Sequence, residues 1–524
     1  MSDVRVPRGK RGPVSRALAR DRLGVPAVLF FVLAGVAPLT VAAGVIPTAY
    51  QTTGLTGIPA AFVAVALILA LFAVGYVAMT RHITHSGAFY AFIAQGIGRA
   101  PAVAAALVAL LAYSCLQVGL YGALGPAAAA EAAAHLGIHA AWWAWALAAW
   151  GVITVLGMLR VEITGRVLGV LLSAEIAVIF AEAACGIASP AGGRISLATL
   201  SPADLTSAGI GTFGVLAVVA VLGFVGFEQA PVLAEEARHA RRTIPLATYL
   251  ALGLIAVVYA GASWAMAVHA GTGQVVAAAG RLGPGLLFGL GGGFLAQAAQ
   301  LLFLTSLFAA ALAFHNVVWR YMFALGREHV LPAALGRTGA NNIPKVASLV
   351  QSASALIVIV GYAVLGLQPM TRLFFWLGTT GGFGILILLT ATSVAVVAFF
   401  ARDGRGENAW RRLIAPGIAA LLLGCIVLLA IGNYATLLGV APADPASWAL
   451  PASYAAVAAA GLCWGLLLRI RSRDRYAVIG LGARAVTALL GATLATADAR
   501  IPGDAGGLGD AGTLGAAAPG TEPR

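Results

Sequence analysis

Three carboxylates lie inside long apolar runs of this chain, Glu175 and Glu182 in one and Glu228 in another, with no Lys or Arg at the same depth. A carboxylate in hydrocarbon costs about 2.5 to 3.5 kcal/mol on insertion scales, and desolvation favours its protonated form. Proton-linked work is the chemistry such residues offer, so Glu175, Glu182 and Glu228 are the proton-coupling candidates. Glu175 and Glu182 stand seven apart and share a helix face; Glu182 is nearer the predicted outer surface, where water alone could solvate it. For Glu228 a structural reading is favoured: it follows a helix break, where its charge complements the dipole of the next half-helix and caps free amides.

No catalytic set accompanies these acids. The chain has no metal-spaced His or Cys cluster, no HExxH, no paired aspartate motif and no Gly-Lys-Ser/Thr nucleotide loop. Cys115, Cys185, Cys425 and Cys463 sit in apolar runs without pairwise spacing, which points to neither disulfides nor a metal site. The reading is therefore no catalytic residue, no metal and no cofactor beyond a coupling ion, H+ or Na+.

The elements that must position Glu228 are unusual. The run from Phe213 to Ala237 carries Gly223, Gly226 and Pro231, and the run from Pro26 to Tyr50 carries Gly35, Pro38, Gly44 and Pro47. Glycine loosens a helix and proline removes a backbone donor, so both runs are predicted to break at mid-membrane. At such a break, unpaired amides attract a carboxylate and unpaired carbonyls attract an ammonium; a zwitterion satisfies both.

Composition sets the wider frame. With 60% hydrophobic and 10% charged residues in 524, the chain is a polytopic membrane protein rather than a soluble domain. Runs of about 20 apolar residues, enough to cross a bilayer core, fall near 26–50, 58–79, 101–130, 140–159, 167–189, 209–236, 246–269, 288–319, 346–367, 373–400, 413–434 and 450–468. The net charge of +13 does not mark a nucleic-acid binder, because no segment is long enough for a soluble domain. Instead, with both termini inside and twelve crossings, 29 of the 32 Lys and Arg residues fall on the inner side, leaving Arg194, Arg281 and Arg372 outside. Two inner-loop charge clusters, Glu235, Glu236, Arg238, Arg241 and Arg242, and Arg320, Arg327, Glu328 and Arg337, are read as solvated by default, with ion pairs between them as a way to close a gate. The broken first and sixth runs are five crossings apart, so a five-helix unit repeated at that interval has inverted topology.

Four stretches carry a resemblance: "GFVGFEQAPVLAEEARHARRTIP" (Gly223 to Pro245), "HSGAFYAFIAQGIGR" (His85 to Arg99), "AFHNVVWRYMFALGREHVLP" (Ala313 to Pro332) and "NNIPKVAS" (Asn341 to Ser348). In these the chain resembles bacterial permeases of the amino acid–polyamine–organocation superfamily. The resemblance implies an all-α, leucine-transporter-like fold of twelve helices: a basic cytoplasmic tail (1–25), a five-helix repeat (26–190), its inverted copy (209–400), two accessory helices (411–470) and a cytoplasmic tail (471–524) whose end reads as disordered. It implies a plasma-membrane carrier moving amino acids or related amines by alternating access, with an exchanger or a polyamine carrier as alternatives. A sensor or channel on the same fold is the rival from another class, and no obligate protein partner is implied.

By carry-over, Gly35, Val36 and Ala37 are expected near the substrate carboxylate and Leu222, Gly223, Phe224 and Val225 near its amino group. Phe224 is the expected gate. Gln117 and Tyr121, four apart on one helix face, are expected to line the pocket. Where the family often has a Gly-Ser-Gly-like run, this chain has Gly35, Val36, Ala37 and Pro38.

Overall fold

Proline at the entrance and glycine at the exit punctuate several helices of this chain, as their backbone limits dictate. In the computed structural model, which describes residues 23–83, 87–158, 161–205, 210–233, 236–338 and 343–482, α1 (Val25–Val36) has Pro26 in its first turn. It is followed by Pro38–Thr40, a π-helical turn Val41–Val45 and α2 (Ile46–Thr53), which ends on Gly54 at φ 67°. α3 (Ile58–Thr80) opens on Pro59, the short α4 (Ala88–Gly96) follows, and α5 (Arg99–Leu136) ends on Gly137 at φ 65°. Next come α6 (Trp142–Leu156), α7 (Val161–Ala188), α8 (Ile210–Phe224), α9 (Ala240–Ala270) and α10 (Gly293–Arg327). The series closes with α11 (Lys345–Val364), α12 (Trp376–Arg402), α13 (Ala415–Gly432) and α14 (Ala446–Arg471).

Among the described residues helices are the only regular elements, apart from one isolated bridge, and eleven of them are long and apolar enough to cross a membrane. The expected crossing at 140–159 corresponds to α6, which is apolar but has only 15 residues, about 22 Å of helix. The basic tail before Leu23, His85, Glu235, Asn341 and everything after Gly482 lie outside the described residues.

α5 forms the spine, packing on α10, α12 and α14. Small residues allow this. A Cβ on Gly461 or Gly465 of α14 would stand 2.6 or 2.8 Å from the Cα of Ala104 or Ala100 in α5, so these helices meet backbone to backbone as small residues permit in membranes. α1 is held between α7, α9 and α10.

One end of the bundle is sealed by polar contacts. Leu23 pairs in parallel with Ala237: its N–H donates to the Glu236 carbonyl at 3.1 Å, and the Arg238 N–H donates to the Leu23 carbonyl at 2.8 Å. Beside them Arg320 Nε donates to Glu236 Oε1 at 2.8 Å, and its guanidinium lies over the rings of Trp319 and Phe31, 4.3 and 5.3 Å from their centroids. Glu328 sits at the same end, accepting from the backbone N–H groups of Gly480 and Gly482 at 2.6 Å each and from the Tyr90 hydroxyl. The solvated-loop default holds for Arg238, Arg241, Arg242 and Arg337, which are exposed, and is corrected for Glu236, Arg320, Arg327 and Glu328, which are buried.

Candidate functional site

Both expected interruptions are present. α1 stops at Ala37, a non-glycine residue in the left-handed region (φ 52°, ψ 70°), and the chain resumes at Pro38. α8 stops at Phe224, passes through Gly226 at φ 119° and continues as a 3-10 turn, Phe227–Leu233, with Pro231 inside it. The breaks touch. A Cβ on Gly226 would stand 2.7 Å from the Val36 nitrogen, and one on Gly35 would stand 2.7 Å from Gln229 Oε1. Only glycine permits that approach and that φ.

Glu228 pins the second break. The Gly226 N–H donates to its Oε2 at 2.7 Å, the Tyr113 hydroxyl of α5 to its Oε1 at 2.9 Å, and the Tyr76 hydroxyl of α3 to its backbone carbonyl at 2.7 Å. The carboxylate thus satisfies an amide freed by the break, as a capping residue does.

A family model for amino acid permeases matches residues 27–472. The chain belongs to the amino acid permease family. It is accordingly a multi-pass membrane protein of an amino acid transporter family, which is not a family of enzymes. No curated protein matches the permease.

A cavity of about 100 Å³ borders both breaks of the permease. Gly35, Val36 and Ala37 line it from the first, Leu222 and Val225 from the second. Leu116, Gly119 and Leu120 of α5, Phe314 of α10, and Phe374 and Phe375 ahead of α12 complete most of the wall. Through Val45, Leu222, Phe375 and Thr379 it adjoins a smaller space of about 20 Å³ that runs past Ala49 toward Thr53 and Leu437, away from the sealed end.

Other expected pocket residues lie elsewhere. Phe224 is buried in an aromatic group, its ring 6.0 Å from Phe62 and 6.1 Å from Tyr259, and Gly223 packs on Phe62. Gln117 and Tyr121 share a helix face, but it meets α11: Gln351 Nε2 donates to Gln117 Oε1 and Gln117 Nε2 to the Tyr121 hydroxyl, both at 3.0 Å. The face of α5 that meets the cavity carries Leu116, Gly119 and Leu120 instead. Spacing fixes which side chains travel together, not which way they point.

The first break also differs in its backbone. The Ala37 N–H is already bonded to the Leu33 carbonyl at 3.0 Å, and Gly35 and Val36 close a helix whose last turn offers carbonyls. Amides begin beyond Pro38. The Thr40 N–H and hydroxyl reach Ser306 Oγ at 3.3 and 3.2 Å, while the Leu39 amide and the Ser306 hydroxyl face the carboxyl of Glu175. Glu175 is therefore joined to the half-helix that follows the break.

Glu182 is not wet: it is buried, and its Oε2 accepts the Gly291 N–H at 2.6 Å, tying α7 to the approach of α10. His315 of α10 meets the Ser348 hydroxyl of α11 at 2.9 Å. Among the described residues no group of three or more His, Cys, Asp or Glu could hold a metal ion.

One residue was missed. Gln229 is fully buried beside Gly35, and neither its amide nitrogen nor its oxygen has a hydrogen-bond partner. The rule that picked out Glu228, a polar side chain inside an apolar run, points equally to its neighbour.

Proposed function

We propose that the permease carries a zwitterionic amino acid by alternating access, bound where the two breaks meet. The observation that carries this reading is the cavity bordered by both breaks at once. The carbonyl ends of α1 and α8 converge on it, suited to an ammonium, and the amino end of the half-helix from Pro38 is suited to a carboxylate. The breaks belong to five-helix units of inverted topology, so the substrate site lies on the pseudo-twofold axis relating them. In this reading, which the inward bias of basic residues supports, the Leu23 and Glu328 end and both termini face the cytoplasm, and the cavity communicates outward.

Glu175 is the preferred coupling group. Its carboxyl faces the Leu39 amide, the kind of donor a substrate carboxylate would use, so binding a proton at Glu175 and freeing that amide for substrate are linked. Glu228, held by Gly226 and Tyr113, acts in this scheme as a structural clamp.

The test is uptake of labelled amino acids into proteoliposomes holding the purified permease, with and without a pH gradient. Saturable uptake, lost in Gly35→Val and made insensitive to the gradient in Glu175→Gln, is the expected result. Flux linear in concentration, or none, assigns the fold to a channel or a sensor.

A further inference from the structure

The cavity wall carries information about side-chain preference. Among the described residues no Asp, Glu, Lys, Arg or His lines it, and the only polar side chains in its lining are the hydroxyls of Thr40 and Thr379. Of the acids near the breaks, Glu228 is held by the Gly226 N–H and the Tyr113 hydroxyl, and Glu175, facing Leu39 and Ser306, stands outside the lining. The rest of the wall is backbone, aliphatic or aromatic, and includes Leu116, Leu120 and Leu222 and the rings of Phe314, Phe374 and Phe375.

We infer that the permease selects neutral amino acids with apolar side chains, aliphatic or aromatic, over cationic, acidic and amide-bearing amino acids and over polyamines. The inference rests on the proposed substrate site. Backbone polarity at the breaks answers the α-amino and α-carboxyl groups that every amino acid has. A second ammonium or a guanidinium would enter a wall with no counter-charge and lose its hydration without replacement. An amide side chain loses water in the same way, with two hydroxyls to replace it, whereas a leucine or phenylalanine side chain is driven into such a wall by the hydrophobic effect.

The experiment is competition against labelled leucine uptake in proteoliposomes, together with thermal protection of the purified permease by leucine, phenylalanine, asparagine, lysine, glutamate and putrescine. Leucine and phenylalanine should protect and compete, with the others weaker by more than about tenfold. Lysine, putrescine, glutamate or asparagine equalling leucine overturns the inference and leaves the carrier reading standing; no binding or uptake of any amino acid overturns both. A second arm places a charge in the wall: Thr379→Asp should gain lysine competition by about tenfold or more, with Thr379→Val keeping the leucine preference. A Thr379→Asp protein that elutes as folded and carries leucine but stays blind to lysine overturns the inference. If that variant does not fold, the wild-type competition decides alone.

Discussion

Gly226 and Gln229 impose opposite demands at the junction of the two breaks. Gly226 holds φ 119° with the Val36 nitrogen 2.7 Å from where a Cβ would sit. Gly226→Ala should therefore force the breaks apart, destabilising the fold by about 1–3 kcal/mol and abolishing uptake, as read by thermal denaturation and proteoliposome transport. Gln229 presents the reverse case, since an orphaned buried carboxamide costs about 1–3 kcal/mol. Gln229→Leu should raise the melting temperature, and a simultaneous fall in uptake would give the amide a part in the transport cycle. The breaks themselves were legible because Gly and Pro act on the backbone wherever they stand. The directions of Phe224, Gln117 and Tyr121 were not, because those depend on helix rotation, which packing against distant helices decides.

At the scale of elements, the sealed end joins α10 to the start of α1 and the segment before α9. Arg320 is fully buried with Glu236 as its ionic partner, and removing one member of such a pair typically costs about 3–5 kcal/mol. Glu236→Ala should loosen this end. With a cysteine at Leu23 in a background lacking the native cysteines, labelling by an impermeant thiol reagent should accelerate about tenfold or more; an unchanged rate would mean the pair does not hold the seal. The sequence supplied both charge clusters but could not show that Arg320 meets Glu236, since that requires knowing how residues 84 apart come together. Helix extents were easier to read, because proline entrances and glycine exits are local. The 15-residue α6, which packs on α5 and α11, is the exception.

For the molecule as a whole, hydrophobicity and the charge distribution foretold a polytopic bundle, and small residues such as Gly461 and Gly465 brought its helices close. Least foreseeable was the engagement of the segment after α14. Glu328 gathers Tyr90, Gly480 and Gly482, and the two glycines have φ of 80° and 59°, which suits them to turn their amides toward one acceptor. Glu328→Ala should lower the melting temperature by several degrees, whereas a double substitution at Arg473 and Arg475 in the adjoining short helix should change it little. Equal losses would place the attachment in general charge rather than in this carboxylate. The contact also bears on how the protein is made. Glu328 emerges from the ribosome some 150 residues before the amides that satisfy it, so during synthesis this part of the floor stays incomplete until the chain has passed α14.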